Sequence, residues 1–202
     1  NEWRRKLGAT VGAMLRQNTA LKTIAEAHPQ EGGRDGLVSA DLTVPDQWDS
    51  LSTGLDLALR EARSGLEFIA RLRQVHERAS KLGQRHGDAS LYHLIHAAGQ
   101  TLEKYSSHHA LLVMLVCEQA AMILGWNSES VRSLGCAALT MNVAMATLQD
   151  QLAGTDVPLT QAMREQIQQH APQGAQMLRE AGVDDVLWCE TVRLHHERGD
   201  AQ

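Results

Sequence analysis

The chain has 202 residues, a net charge of −5 from 19 Lys and Arg against 24 Asp and Glu, and only 3% aromatic residues. This length allows one compact domain with a hydrophobic core of its own. An acidic chain with few aromatic rings lacks the basic, stacking surface that nucleic-acid binding needs, so we expect no nucleic-acid polymer among its partners.

The lack of a recognisable targeting signal and the pattern of cysteines both favour a cytoplasmic protein. No apolar run approaches the roughly 20 residues that span a bilayer, and no signal peptide is recognisable, although residue 1 is Asn and the natural start is expected upstream. The three cysteines, Cys117, Cys136 and Cys189, are odd in number and lie in apolar or amphipathic surroundings. Free, buried thiols in a reducing compartment are the simplest interpretation.

Residues 1–45 are predicted to form an N-terminal helix and a linker. Apolar residues recur there at three- and four-residue steps over positions 2–27: Leu7, Val11, Met14, Leu21 and Ala25. Asn18 takes the remaining seam position, which suits a parallel dimerisation helix with a fixed register, or an amphipathic helix packed on its own domain. Gly and Pro residues between 28 and 45 indicate a loop.

From residue 46 onward the apolar residues recur at helical spacing, and no strand-like alternation of useful length occurs. The first apolar face comprises Trp48, Leu51, Leu55, Ala58, Leu59 and Ala62. We predict an all-α fold, with residues 46–104 forming a helical region that leads into a core of residues 105–202.

The core region predicts several helices with recognisable ends. Residues 106–125 are strongly apolar and should form a central helix that ends at Gly125. The next helix should be capped by Asn127 or Ser128 and run to about Leu148, and Asp184 should cap the last one.

Four short motifs follow one another in the second half of the chain. They are Tyr105-Ser106-Ser107-His108-His109 with Val113, Leu159-Thr160, His170-Ala171-Pro172-Gln173-Gly174 with Leu178, and His195-His196-Glu197-Arg198-Gly199-Asp200. In this order and spacing they resemble the motifs of an HD-GYP domain, a branch of the HD phosphohydrolase superfamily. The resemblance implies an HD-type helical core preceded by additional helices, and incomplete at its C-terminus because the Gly-Tyr-Pro motif is missing.

The resemblance also implies a metal centre. His170, His195 and His196 correspond mainly to the ligands of one ion, and His109 to a ligand of the other. Where the family has His-Asp-x-Gly-Lys, however, this chain has Met141-Asn142-Val143-Ala144-Met145. The family's defining His-Asp pair is therefore absent.

This replacement removes what two-metal hydrolysis requires. Such sites hold two cations roughly 3.5–4 Å apart, and a bridging carboxylate offsets their repulsion. Asn142 offers only a neutral carbonyl, the Met141 thioether is a soft and poor ligand for such ions, and Met145 replaces a Lys that would neutralise phosphate. We expect Met141, Ala144 and Met145 to share one helical face, which would leave the cleft apolar and mostly filled.

Three histidines remain sufficient for one divalent ion such as Zn, Fe or Mn. The competing interpretation is that they are leftover polar groups that bond to one another and to Asn142 or Glu197. The other histidines are interpreted as surface or partly buried residues without a role in a site: His28, His76, His86, His93, His96 and His108.

The preferred function is a catalytically degenerate, HD-GYP-like domain of bacterial-type signalling, acting through dimerisation, a partner protein or a bound cyclic dinucleotide such as cyclic di-GMP. One alternative is an active phosphohydrolase with a mononuclear centre, in which Glu197 or Asp200 serves as auxiliary ligand or base. A further alternative is an HDOD-like domain used only for protein contacts.

Overall fold

Helices account for nearly all of the regular structure that the computed structural model describes, which covers residues 42–62, 65–155 and 158–197. The helices are α1 (Val44–Arg60), α2 (Leu66–Arg85), α3 (Gly87–Gln100), α4 (Tyr105–Ile123), α5 (Ser128–Thr140), α6 (Ala146–Ala153), α7 (Gln161–Glu180) and α8 (Val186–Leu194). Short 3₁₀ turns cover Leu102–Lys104 and Val143–Met145. These ranges contain no strand, so the all-α prediction is confirmed. The helix predicted for residues 2–27 lies outside them.

Helix α1 begins two residues earlier than the sequence pattern suggested. Thr43 caps it, because its hydroxyl accepts from the Asp46 amide at 3.3 Å while the Asp46 carboxylate accepts from the Thr43 amide at 3.1 Å. Pro45 is compatible with the first turn, where its missing N–H costs no hydrogen bond. The predicted apolar face is confirmed, since every one of its six residues is buried.

Helix α4 lies at the centre, as predicted from its composition. It packs against α1, α2, α3, α5 and α6, and Leu111 and Met114 are fully buried. Gly125 ends it with a φ of 75°, a conformation that favours glycine, and the Trp126 amide donates to the Ala121 carbonyl at 3.0 Å. The predicted glycine stop is confirmed.

Two of the predicted helix boundaries are wrong. Helix α8 is capped by Asp185, whose carboxylate accepts from the Trp188 amide at 2.9 Å, and not by Asp184. Helix α5 ends at Thr140 and does not run on to Leu148.

The stretch Ser128–Ala153 is the one candidate membrane span among the described residues, with a mean hydropathy of 1.3. It differs from the expectation that no run would be long and apolar enough. Within the fold 61% of the most apolar window is buried, as in the core helices of many soluble proteins, so the evidence for a span is weak.

Helix α8 is fixed against α5 by two side-chain hydrogen bonds. The buried Trp188 indole N–H donates to the Thr140 hydroxyl at 2.8 Å, and the Ser133 hydroxyl donates to Asp185 at 2.6 Å. The same helix packs against α7. These contacts determine where the residues after the end of α8 lie.

We expect Thr140→Val to lower the free energy of unfolding by about 1–3 kcal/mol, because the buried Trp188 N–H loses its acceptor while the side-chain volume is kept. Thr53→Val is the matched control. The hydroxyls of Thr140 and Thr53 both donate to the carbonyl four residues earlier, at 2.8 and 2.9 Å. Thr53, however, is exposed on α1, and the group that donates to it is the solvated Lys104 ammonium at 3.1 Å. Urea denaturation of both variants checks this, and equal losses of stability would contradict it.

Candidate metal centre

Three histidines meet where the end of α8 lies against α7. His170 is on α7, and His195 and His196 directly follow α8. The Nε2 atom of His170 lies 3.2 Å from that of His195 and 3.1 Å from that of His196. His170 is buried, His195 is half-buried and His196 is exposed, so the cluster reaches from the core to the surface.

Backbone carbonyls determine which ring nitrogens of two of these histidines carry a proton. The Nδ1 atom of His170 bonds to the Ile167 carbonyl, and that of His195 to the Val192 carbonyl at 2.8 Å. Because a carbonyl only accepts, both Nδ1 atoms must donate. In the neutral rings the two Nε2 atoms then face each other with lone pairs, an arrangement that requires a proton or a cation between them.

The spacing suits a metal ion. Four ligands at the usual Zn–N distance of roughly 2.0–2.1 Å in a tetrahedron place neighbouring nitrogens about 3.3–3.4 Å apart. The 3.1 and 3.2 Å separations are close to this, and all three nitrogens lie within 4.8 Å of one another. The bonds to Ile167 and Val192 are the outer contacts that typically orient metal-binding imidazoles. The three residues therefore fit a single ion.

Burial lowers the pKa of His170 and of His195, which favours the neutral form that metal binding requires. Loss of hydration lowers the pKa of His170, the bond to Ile167 opposes this, and His196 lowers the pKa further. Loss of hydration likewise lowers the pKa of His195, against the bond to Val192. Protonated rings have no free lone pair for a metal.

The remaining predicted residues are not part of this cluster. His109 lies on α4 with its ring stacked on Tyr105, at a centroid distance of 5.5 Å, and burial lowers its pKa. Within the described ranges only His170, His195 and His196 form a group with the spacing of metal ligands. Glu197 is exposed, and Asp200 lies outside the described residues.

The chain at Met141 and Asn142 is not part of a continuous helix, contrary to the prediction. The chain leaves α5 at Met141 and enters the 3₁₀ turn Val143–Met145, which packs against α7. Met141, Ala144 and Met145 therefore do not share one face of a regular helix, because tertiary packing on α7 replaces helix continuation. In the described part of the chain, neither Asn142 nor Glu197 bonds through its side chain to a clustered histidine.

The expectation of an apolar, mostly filled cleft is also wrong in part. A cavity of about 380 Å³ lies beside this turn, and Met145 lines it together with Gln166, Gln173 and Arg60. Among the described residues that line it there is no carboxylate and none of the three histidines. The turn thus borders a separate cavity whose described lining has no acidic group.

One buried ionisable pair was missed by the sequence analysis. His76 of α2 and Glu118 of α4 are 7% and 2% exposed, and the His76 Nε2 atom lies 2.6 Å from Glu118 Oε1. The interpretation of His76 as a surface or partly buried residue is therefore wrong, because the side chain is buried. Two signals were available: His76 lies four residues after Leu72 on the apolar face of α2, and Glu118 is the one carboxylate in α4.

Comparison of the chain with family models, with curated proteins and with solved structures found no match. The HD-GYP and HDOD interpretations therefore stay predictions that rest on the motif residues.

We expect wild-type protein, purified without a His-tag and stripped with chelator, to bind one Zn²⁺ per chain, and His195→Ala to bind almost none, because two ligands are insufficient for a stable site. His109→Ala is the matched control and should keep one Zn²⁺, since His109 is not in the cluster. Calorimetric titration and elemental analysis measure the stoichiometry. A value near zero for the wild type, or no change in His195→Ala, would rule out this centre.

Gly135 of α5 packs against the buried His76–Glu118 pair, and a Cβ there would overlap with Glu118 Oε1 and His76 Nε2. Gly135→Ala should lower the free energy of unfolding by about 1–3 kcal/mol. Gly99→Ala in α3 meets open space and should be neutral, or stabilising by up to about 1 kcal/mol through helix propensity. Urea denaturation compares the two, and a neutral Gly135→Ala would contradict the overlap.

Proposed function

We propose that this chain is a non-catalytic signalling domain, related to the HD-GYP domains, in which His170, His195 and His196 bind a single divalent metal ion. The observation that carries the proposal is the convergence of three Nε2 atoms from two helices. Imidazole ligands suit Zn and Fe, and Mn is a further candidate from the resemblance.

A bound ion would join two parts of the chain that are distant in sequence. His170 and His195 are 25 residues apart, and they are presented by α7 and by the end of α8. An ion bound by all three histidines would stabilise the folded state by cross-linking these helices, since the unfolded chain does not present a formed site. The centre would thus hold the end of α8 in place.

The composition of the cluster supports a non-catalytic role. Within the described ranges, the group consists of three imidazoles without a carboxylate. The position that holds the bridging acid in the family is Asn142, and a neutral amide does not offset the repulsion between two cations. The half-buried Asn142 begins a 3₁₀ turn and lies outside the group of candidate ligands.

The signalling role itself rests on the resemblance of the motifs in residues 105–202. It would operate through a second copy of the chain, a partner protein or a cyclic dinucleotide. Asn18 in the apolar seam of residues 2–27 is the sequence feature that favours a second copy.

We expect no hydrolysis of cyclic di-GMP or of bis(p-nitrophenyl) phosphate above that of the free metal when the protein is loaded with Mn²⁺ or Fe²⁺. The physical reason is that the described residues offer one group of ligands, without a bridging carboxylate that would hold a second ion and position the attacking water. Product release is followed by chromatography for the dinucleotide and by absorbance for the aryl ester.

Turnover that disappears in His170→Ala would overturn the proposal and establish a mononuclear phosphohydrolase, with Glu197 or Asp200 as the auxiliary group. His86→Ala is the control for this outcome, since His86 is exposed and outside the cluster. Activity that persists equally in both variants would indicate a contaminating enzyme.

A further inference from the structure

A second and larger cavity, of about 770 Å³, lies between α2, α4, α5 and α8. Its volume is in the range of small-molecule sites, which is about 300–1,000 Å³. None of the three clustered histidines lines it, so it is separate from the candidate metal centre.

The buried His76–Glu118 pair lines this cavity. Among the described residues, Glu118 Oε2 and His76 Nδ1 make no hydrogen bond, although both side chains are more than nine-tenths buried. A carboxylate oxygen in such a place is stabilised by a hydrogen-bond donor. A ligand that reaches Glu118 should therefore carry a hydrogen-bond donor.

Among the described residues, three cationic and three acidic side chains line the cavity: Arg73, Lys81 and Arg132, and Glu77, Glu118 and Asp185. Lys81 is paired with Glu77 at 2.7 Å, and Asp185 accepts from the Ser133 hydroxyl and the Trp188 amide. Arg73 and Arg132 are exposed and form no ion pair within the described ranges. Two guanidinium groups without an ion pair in the wall of one cavity favour a carboxylate, which they bind through paired N–H donors.

The wall of the cavity is partly apolar. Trp126 and Met122 line the cavity and are 46% and 42% exposed, so an indole face and a thioether are available to a flat ring. Cys136 also lines it, but burial raises the pKa of its thiol to about 12. The thiol therefore stays protonated at neutral pH and is not an effective nucleophile, which favours binding over covalent chemistry.

We propose that this cavity binds a small aromatic acid that carries a hydrogen-bond donor on its ring. Its carboxylate binds Arg73 and Arg132, its ring packs against Trp126 and Met122, and its donor reaches Glu118 Oε2. This site is independent of the metal centre.

Three related probes separate these contacts in the wild-type, full-length chain. Indole-3-acetate has both the acid and the ring N–H, tryptophol has the N–H without the acid, and 1-naphthaleneacetate has the acid without the N–H. Dissociation constants come from ligand-observed NMR titrations. Indole-3-acetate should bind with one-to-one stoichiometry and at least about tenfold more tightly than either analogue, since each analogue lacks one charge-assisted bond.

Variants then assign the acid contact. The double variant Arg73→Gln/Arg132→Gln should weaken indole-3-acetate at least about tenfold and leave tryptophol unchanged. Arg78→Gln is the matched control, because Arg78 is exposed on the same helix and does not line the cavity. The donor contact is tested by the probes in the wild type, since replacing Glu118 would disturb the buried pair.

Three outcomes would overturn the proposal. They are the absence of saturable one-to-one binding, equal binding of all three probes, and unchanged binding of indole-3-acetate to the double arginine variant. Equal weakening of indole-3-acetate and tryptophol in that double variant would also overturn it, because the loss would then be structural.

Discussion

A central helix that is apolar on nearly every side must be covered by other helices, and this constraint organises the described fold. Helix α4 is contacted by α1, α2, α3, α5 and α6, and its interior residues are removed from water. Burial of this kind is the main favourable contribution to folding. The helices that cover α4 also determine what happens to the one carboxylate that it carries.

Glu118 illustrates this consequence. An ionisable group on a buried helix is tolerated when a partner satisfies it, and His76 of α2 supplies that partner at 2.6 Å. A Cβ at position 135 of α5 would overlap with both side chains of the pair. The glycine there leaves room for them, although glycine lowers the stability of a helix. The same arrangement leaves one oxygen of Glu118 without a partner in the described residues, beside a cavity lined by two arginines that form no ion pair there.

The histidine cluster depends on a different set of contacts. Trp188 and Asp185 fix α8 to α5, and the end of α8 then brings His195 and His196 against His170. Two backbone carbonyls orient the rings of His170 and His195, and burial lowers the pKa of both. At Met141 and Asn142 the chain instead leaves α5 and enters the 3₁₀ turn Val143–Met145.

The sequence by itself determined the fold class, the apolar face of α1, the central helix and its glycine stop, because these follow from local spacing and turn chemistry. It also identified His170, His195 and His196 as candidate ligands. Only the tertiary structure decided that their nitrogens converge, that His109 lies apart, that α5 ends at Thr140 and that His76 meets Glu118. Each of these depends on how helices distant in sequence pack, and helical periodicity does not encode which faces meet.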